Sequence, residues 1–263
     1  MRIDIVTYGG GIQSTTIAAL IVAGRLPKPE RIVMADTGRE RSVVWRYLDE
    51  VTQPRLATIG LQVERIDPTK YTRWGLSKGQ APNDAGDPVG DLLIPVYTDT
   101  GKLPTFCSNE WKQRPVRRYL AEHGYGPKKP VRMWFGMSLD EVVRMRQSDV
   151  QWIENHYPLV LNPDTRMSRG DCVSFLEREG WPLPPKSSCW MCPHRDDDTW
   201  IEMKRDDPAD FAAAVELERE IQSGGKWGDI WLHESRKPLG EVEFEKKDTS
   251  MPLFDLCGDS CWT

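Results

Sequence analysis

Ile3-Asp4-Ile5-Val6-Thr7-Tyr8-Gly9-Gly10-Gly11-Ile12-Gln13-Ser14-Thr15 is the stretch that decides the fold. Its first six residues are a short β-rich run, and three glycines end it. Ile17, Leu20, Ile21 and Gly24 then recur at i, i+3, i+4 and i+7, which predicts an amphipathic helix. Consecutive glycines between strand and helix let the backbone take positive φ and approach an anion closely. The first amides of the helix, with its dipole behind them, favour phosphate oxygens. Gly9, Gly10, Gly11 and Gln13 are therefore candidate nucleotide contacts, and Ser14 and Thr15 add hydroxyls in the first turn. No Lys follows the last glycine and the glycines are contiguous, so this is neither a Walker A loop nor the spaced dinucleotide fingerprint. The plain alternative is a tight turn that binds nothing.

Working outward, Arg31 to Ala35 reads as a second strand closed by Asp36-Thr37-Gly38, Ser42 to Val51 as a second helix, and Leu61 to Ile66 as a third strand. This β-α-β-α-β order predicts an α/β fold, a Rossmann-like parallel sheet with helices on both faces. Open sheets of this kind place ligand contacts at strand carboxyl ends. There Asp36 can accept hydrogen bonds from ribose or adenine, and Gly38 permits close approach. Residues 68–105, rich in Gly, Pro and Asp, read as a long functional loop. A helix near Ser108, a strand at Arg132–Gly136, a helix from Ser138, a helix over Arg169–Glu179 and a helix starting at Pro208 follow. The division expected is residues 1–222 as one α/β domain and 223–263 as an irregular C-terminal appendage holding Cys257 and Cys261.

A chain of 263 residues with a formal net charge of −5 offers no global field for nucleic acid. Its longest apolar run, Ile17 to Ala23, falls far short of the roughly 20 residues that span a bilayer. A soluble, cytoplasmic protein without membrane contact is expected. Six cysteines in that compartment point to metal, cluster or redox chemistry before structural disulfides. Lys112, Arg114, Arg117 and Arg118, with Lys128, Lys129 and Arg132, form the densest basic region. It could neutralise a sulfate or phosphate or touch RNA backbone; a solvated helix face is the commoner outcome.

The glycine loop resembles that of the PP-loop superfamily, the adenine nucleotide α-hydrolase fold, which carries Ser-Gly-Gly-x-Asp-Ser after its first strand. Gly10, Gly11 and Ser14 match, while Gly9 stands for the first Ser and Gln13 for the Asp. With Asp36-Thr37-Gly38 the chain is similar to the branch of phosphoadenosine and adenosine phosphosulfate (PAPS and APS) reductases. In Phe106-Cys107-Ser108-Asn109-Glu110-Trp111-Lys112-Gln113-Arg114-Pro115, Cys107, Lys112 and Pro115 keep that family's spacing, and Ser108 stands where it has a second cysteine. Gly136 to Glu141 with Arg144 resembles the family's Gly-Ile-Arg-x-Asp-Glu-Ser strand end, which adds Gly136 and Arg144 to the nucleotide contacts. Tyr157-Pro158-Leu159 and the stretch Lys186 to Pro193 are similar to reductase-like proteins of phages and prophages.

Cys189-Trp190-Met191-Cys192-Pro193 is a C-x-x-C motif with proline behind it, a spacing that binds one metal or two irons of a cluster. The resemblance implies that Cys107, Cys189 and Cys192 are ligands of a [4Fe–4S] cluster. Cys172 is the candidate for the missing fourth ligand; otherwise one iron stays open, which suits an exogenous sulfide. The alternatives are zinc on Cys189, Cys192, Cys257 and Cys261, a redox pair, or plain buried thiols. Cys257-Gly258 echoes the family's nucleophilic Glu-Cys-Gly-Leu-His tail, though Leu256 replaces the Glu and no His follows. Cys257 and Cys261 are thus candidate nucleophiles and Lys112 the residue facing the sulfate.

Two functions from different classes follow. One is an iron–sulfur enzyme of sulfur metabolism that binds ATP, with or without Mg, or a phosphosulfate nucleotide. It would either reduce a sulfonucleotide or transfer sulfur after ATP-dependent activation of an acceptor, protein or RNA, using a reductant or sulfur donor. The other is a non-catalytic phage accessory or assembly protein that keeps the fold and metal site. A homodimer is compatible with either.

Overall fold

The computed structural model describes residues 2–67, 70, 80–82, 88–89, 91–222 and 229–246. In chain order its regular elements begin with β1 (Ile3–Thr7), α1 (Ile12–Val22), β2 (Arg31–Ala35) and α2 (Ser42–Tyr47). The last runs through a π turn (Leu48–Thr52) into α3 (Gln53–Ala57), and β3 (Val63–Ile66) follows. Five short strands come next: β4 (Gln80–Pro82), β5 (Pro88–Val89), β6 (Asp91–Leu92), β7 (Tyr97–Thr98) and β8 (Gly101–Lys102). A π turn (Asn109–Gln113) leads into α4 (Arg114–Glu122), then β9 (Val131–Trp134), a 3-10 helix (Leu139–Arg144) and β10 (Ile153–His156). The remaining elements are α5 (Pro158–Leu161), α6 (Arg169–Arg178), α7 (Asp197–Asp206), α8 (Pro208–Gln222) and β11 (Ile230–Trp231).

The chain forms two compact units that interleave in sequence. The first comprises Met1–Asp36, Val43–Ile66 and Val116–Ser187; the second comprises Thr37–Ser42, Asp67–Pro115 and Ser188–Thr263. In the first, five parallel strands run in the order β10-β9-β1-β2-β3. This is the α/β class the β-α-β-α-β reading predicts. The chain builds from β1 outward through β2 to β3, then returns to the other side of β1 with β9 and β10. The strand order therefore reverses between β1 and β9.

Two elements depart from the sequence reading. Helix α1 is buried without a break from Gln13 to Ile21, not amphipathic, because it packs against α3, α5 and α6 as well as the sheet. Strand β10, unforeseen, pairs Ile153 with Val131 and His156 with Trp134. Its sequence Ile-Glu-Asn-His carries no alternation, since it is an edge strand with one inward apolar residue.

In the second unit, α7 packs on α8, and α8 carries β11, which pairs antiparallel with β7. The expected boundary at 222/223 falls inside this unit. Glu218 on α8 is buried and accepts the amides of Leu232 at 2.7 Å and Leu239 at 2.6 Å, tying residues 230–242 to the helix. Residues 68–105 are not one unstructured loop, for β4 to β8 lie within them. Cys257 and Cys261 lie outside the described residues. No helix among the described residues is long and apolar enough to cross a membrane.

Candidate functional site

The glycine loop sits in the first unit at the carboxyl end of β1, beside the strand-order reversal where open α/β sheets bind ligands. Tyr8 anchors it: its amide donates to the Val33 carbonyl at 2.8 Å, and its buried hydroxyl meets Thr15 Oγ1 at 3.1 Å and Thr52 Oγ1 at 2.9 Å. Burial raises the Tyr8 pKa, so the phenol stays protonated. Gly10 has φ +77°, and a Cβ there would lie 2.5 Å from Val44 Cγ1. Gly11 is the N-cap of α1, with φ −97° and ψ 179°, a conformation open to any residue. The amides of Ile12, Gln13 and Ser14 precede the first intrahelical bond, Thr15 N–H to the Gly11 carbonyl at 3.0 Å, and supply the donors that suit a phosphate.

Neither expected hydroxyl is turned outward. Ser14 Oγ donates to the Gly11 carbonyl at 3.0 Å, and Thr15 is fully buried against Tyr8. Both shape the turn, and the first amides of α1 are the polar groups it offers to an anion. Ser187, which the sequence did not flag, donates its hydroxyl to the Gly9 carbonyl.

Gly136, after β9, meets the same loop. A Cβ on it would lie 2.6 Å from Ser14 N and 2.9 Å from Ser14 Cα, so only glycine lets the two strand ends close together. The 3-10 helix that follows starts with a capping box between Ser138 and Glu141. Glu141 Oε2 accepts from Gln13 Nε2 at 2.9 Å, and Glu141 also pairs with Arg144. Arg144 is thus joined to the loop through Glu141, a residue that sequence reasoning did not single out. Its spacing from Ser138 was the available signal.

Asp36-Thr37-Gly38 divides between the units, with Asp36 in the first. Asp36 ends β2 and donates its amide to the Ile66 carbonyl at 2.8 Å. Thr37 is fully buried in the second unit, where its Oγ1 lies 3.6 Å from Cys189 Sγ and accepts the Arg39 amide at 3.3 Å. The hydroxyl of Thr37, read from the sequence as a nucleotide contact within Asp36-Thr37-Gly38, is therefore turned toward the cysteine motif. Gly38 has φ +67° and open space around its Cβ position, so it completes the turn.

The second unit brings Cys107, Cys189 and Cys192 to the wall of one pocket, together with Ser108, Trp111, Lys112, Thr105 and His194. The Cys107 amide donates to the Leu93 carbonyl at 2.9 Å just before the helix begins. Cys189 forms a bridge with Glu40, the Trp190 amide reaches the Arg39 carbonyl at 2.8 Å, and the Cys192 amide closes on the Cys189 carbonyl at 3.0 Å. Arg195 fixes that turn from behind, donating Nη2 to Ser188 Oγ at 2.7 Å and to the Cys189 carbonyl at 2.9 Å. Lys112 is 6% exposed and Ser108 2%. His194 sits with Nδ1 2.9 Å from Lys102 Nζ and Nε2 3.2 Å from Thr105 Oγ1. Burial, with the Lys102 cation second, pushes its pKa down to about 4. The ring is therefore neutral near pH 7, and Nδ1 must accept because an ammonium can only donate.

Cys172 does not join this pocket. It lies on α6 in the first unit's core, fully buried beside Ile17, Leu20 and Phe175. Burial pushes its thiol up to about 11, opposed by a hydrogen bond to Thr16. A thiol that resists deprotonation in an apolar core offers little support for the ligand role expected of it. Among the described residues, no group of three or more His, Cys, Asp or Glu side chains is arranged to hold a single metal ion.

Four of the seven residues of the basic region stand in ion pairs. Arg114 pairs with Glu110, Arg117 with Asp149, Lys129 with Glu30 and Arg132 with Asp4. The Glu30 and Asp149 pKa values are lowered, chiefly by hydrogen bonds from Tyr125 and Arg117 respectively.

No family model matches the sequence, and no curated protein matches it. Among solved structures the chain is similar to a phosphoadenylyl-sulfate (PAPS) reductase from Candida auris, crystallised as a phosphate complex. The identity is 12% and the TM-score 0.42, over 70% of this chain and 76% of that one.

Proposed function

We propose that the protein is an adenine nucleotide-binding enzyme of sulfur chemistry that carries a [4Fe–4S] cluster on Cys107, Cys189 and Cys192. The observation that carries this reading is that three cysteines from two distant stretches of sequence line one pocket with Lys112. Ser108 lines the same pocket, in the place of the fourth reductase ligand.

The residues present fit such a group. A cluster takes one thiolate at each of several irons, so its ligands need not converge on one point as they do around a single ion. On the pocket wall, Trp111 also holds a buried indole nitrogen with no hydrogen-bond partner. Native interiors satisfy nearly all such groups, so this donor favours an acceptor-rich anionic guest. When bound, the cluster would supply electrons or a site for sulfide.

The chain's own residues have distinct parts. The first amides of α1 hold nucleotide phosphate, and Gly136 lets β9 close against them. Lys112 holds the anionic end of the substrate. The reaction follows one of two courses, told apart by their products. Reduction of a phosphosulfate nucleotide consumes two electrons from a dithiol, breaks the sulfur–oxygen bond, and releases sulfite and an adenosine phosphate. Sulfur transfer instead converts ATP to AMP and pyrophosphate as the acceptor is adenylated, and sulfide then displaces AMP.

The accessory reading has one observation in its favour. Gln13 replaces the loop carboxylate, and its amide is already committed to Glu141. Iron and acid-labile sulfide analysis of anaerobically prepared protein, with assays for sulfite and for pyrophosphate, tests both. Stoichiometric iron with either product supports the enzyme. A retained cluster with no turnover of any adenine nucleotide supports the accessory role, and zinc without iron removes the cluster.

A further inference from the structure

The pocket wall holds more than its thiols. Trp111 lies four residues after Cys107, one helical turn on, so both side chains share a face. It is 1% exposed, and its indole Nε1 is buried with no hydrogen-bond partner. Arg195, three residues after Cys192, stands behind the wall and not on it, close enough for Cys189 and Cys192 to act on its charge. Its Nη2 is committed to the C-x-x-C turn, while Nε and Nη1 are buried and unpartnered. Indole and guanidinium nitrogens can only donate, and although the Arg195 guanidinium lies over the Trp200 ring at 5.1 Å, these nitrogens of both side chains find no hydrogen-bond acceptor in the protein.

Ile94, Pro95, Met191 and Pro193 make the apolar half of the remaining wall, and Thr105, Ser108, Lys112 and His194 the polar half, so a water there would compete with thiolate and sulfide for these donors. Two neighbouring charges act on Arg195, the Arg41 cation and the Glu40 carboxylate. Arg41 is bound by Asp207 at 2.6 Å and Glu202 at 3.1 Å. Thiolate and sulfide sulfurs are anionic acceptors, and they are what the three cysteines would bring to this wall.

We propose that Trp111 and Arg195 are the outer hydrogen-bond donors of a metal–sulfur centre on Cys107, Cys189 and Cys192, and that they set its reduction potential. This rests on the metal reading above. They are positioning residues, not catalytic ones. Donors and a buried cation stabilise the reduced, more negative state of such a centre, so they raise its potential. Trp111→Phe deletes the N–H and keeps the ring. Arg195→Gln deletes the charge and keeps an amide donor, while Arg195→Lys keeps the charge and loses the fork.

The test compares anaerobically prepared full-length wild type and these variants for metal content, midpoint potential and rate of metal loss to a chelator. Trp111→Phe and Arg195→Gln should each move the potential to more negative values and speed metal loss several-fold, with Arg195→Lys nearer wild type. Wild-type potential and loss rate in both Trp111→Phe and Arg195→Gln would overturn the proposal. For Arg195, a Lys variant as impaired as the Gln variant would overturn its charge role, since the side chain would then only prop the Ser188–Cys189 turn. Should Arg195→Gln not fold, Trp111→Phe decides alone. If wild type holds zinc without iron, the cluster reading fails separately. The chelator rates then decide: faster zinc loss from Trp111→Phe supports the donor role, and equal loss overturns it. A wild type that binds no metal overturns both.

Discussion

Gln13 Nε2 donates to Glu141 Oε2 at 2.9 Å, which sets a carboxylate against the glycine loop although the loop itself has none. The same carboxylate caps the 3-10 helix through the Ser138 amide and pairs with Arg144. Glu141 therefore ties the end of β9 to the end of β1 across the strand-order reversal. Glu141→Gln should leave Arg144 without its ion partner and weaken the cap, at a cost of about 1–3 kcal/mol. Chemical denaturation should read that loss, and ATP affinity should fall with it. Unchanged ATP affinity in the destabilised variant would limit Glu141 to a structural role.

Gln13→Asp would face two carboxylates at one point in place of an amide and a carboxylate. In chelator at pH 8 the variant should melt several degrees below wild type, because like charges in partly buried positions repel. Lowering the pH to 5 or adding Mg²⁺ should recover most of the loss. Recovery by Mg²⁺ with a gain in ATP affinity would mean the loop accepts the metal its own sequence lacks. Equal melting in chelator and Mg²⁺ would count against that.

The glycines separate fold from binding. At Gly10 any side chain meets both positive φ and Val44 at 2.5 Å. Gly10→Val should therefore destabilise the protein by about 1–3 kcal/mol or more, and is no clean probe of binding. Gly11→Ala is clean: φ is −97° and the nearest atom to the new Cβ is Ser187 Cβ at 3.7 Å. It should fold normally and bind ATP more weakly while binding adenosine equally. Calorimetric titration with both ligands reads the difference, and equal loss for both would remove the loop from phosphate binding.

The sheet was legible because β1, β2 and β3 each carry their own local pattern and boundary residues, whereas α1, read as amphipathic, is buried from Gln13 to Ile21. Strand β10 was hidden because an edge strand with one buried residue shows no period. Cys189 and Cys192 announced themselves by spacing, and Cys107 by its motif. The apolar surroundings of Cys172 were not legible, since a cysteine near a helix start looks the same in sequence whether it faces a metal or a core. The direction of the Thr37 side chain was equally hidden: its tripeptide follows a strand end, and only the structure shows its hydroxyl beside Cys189. Trp111 and Arg195 were beyond sequence reasoning. A tryptophan or arginine reveals an unmet donor only when its surroundings are known.

Cys172 offers a pH test. Its folded pKa of about 11 lies above the unfolded thiol value of about 8.5, so the folded state holds its proton more tightly. The resulting stability is fully present below the unfolded value and is lost as pH rises through the folded one. The stability difference between wild type and Cys172→Ala should therefore shrink by about 2–3 kcal/mol between pH 8 and pH 11. Denaturant titrations along that range read it, and a constant difference would contradict a dry thiol.

The final prediction concerns the metal ligands. A ligand must be a thiolate, and losing one exposes metal that then dissociates. Cys107→Ser, Cys189→Ser and Cys192→Ser should each deplete iron and lower stability, because the centre joins Cys107 to a motif some eighty residues away in the chain. Cys172→Ser should keep its metal and lose about 1–2 kcal/mol from placing a hydroxyl in an apolar core. Cys257→Ser and Cys261→Ser should keep the metal and lose turnover if the tail supplies the nucleophile. Metal analysis of the six single variants separates the cases. Should the two tail variants lose metal while Cys107→Ser keeps it, zinc on Cys189, Cys192, Cys257 and Cys261 replaces the cluster, and the pocket wall at Cys107 needs another occupant.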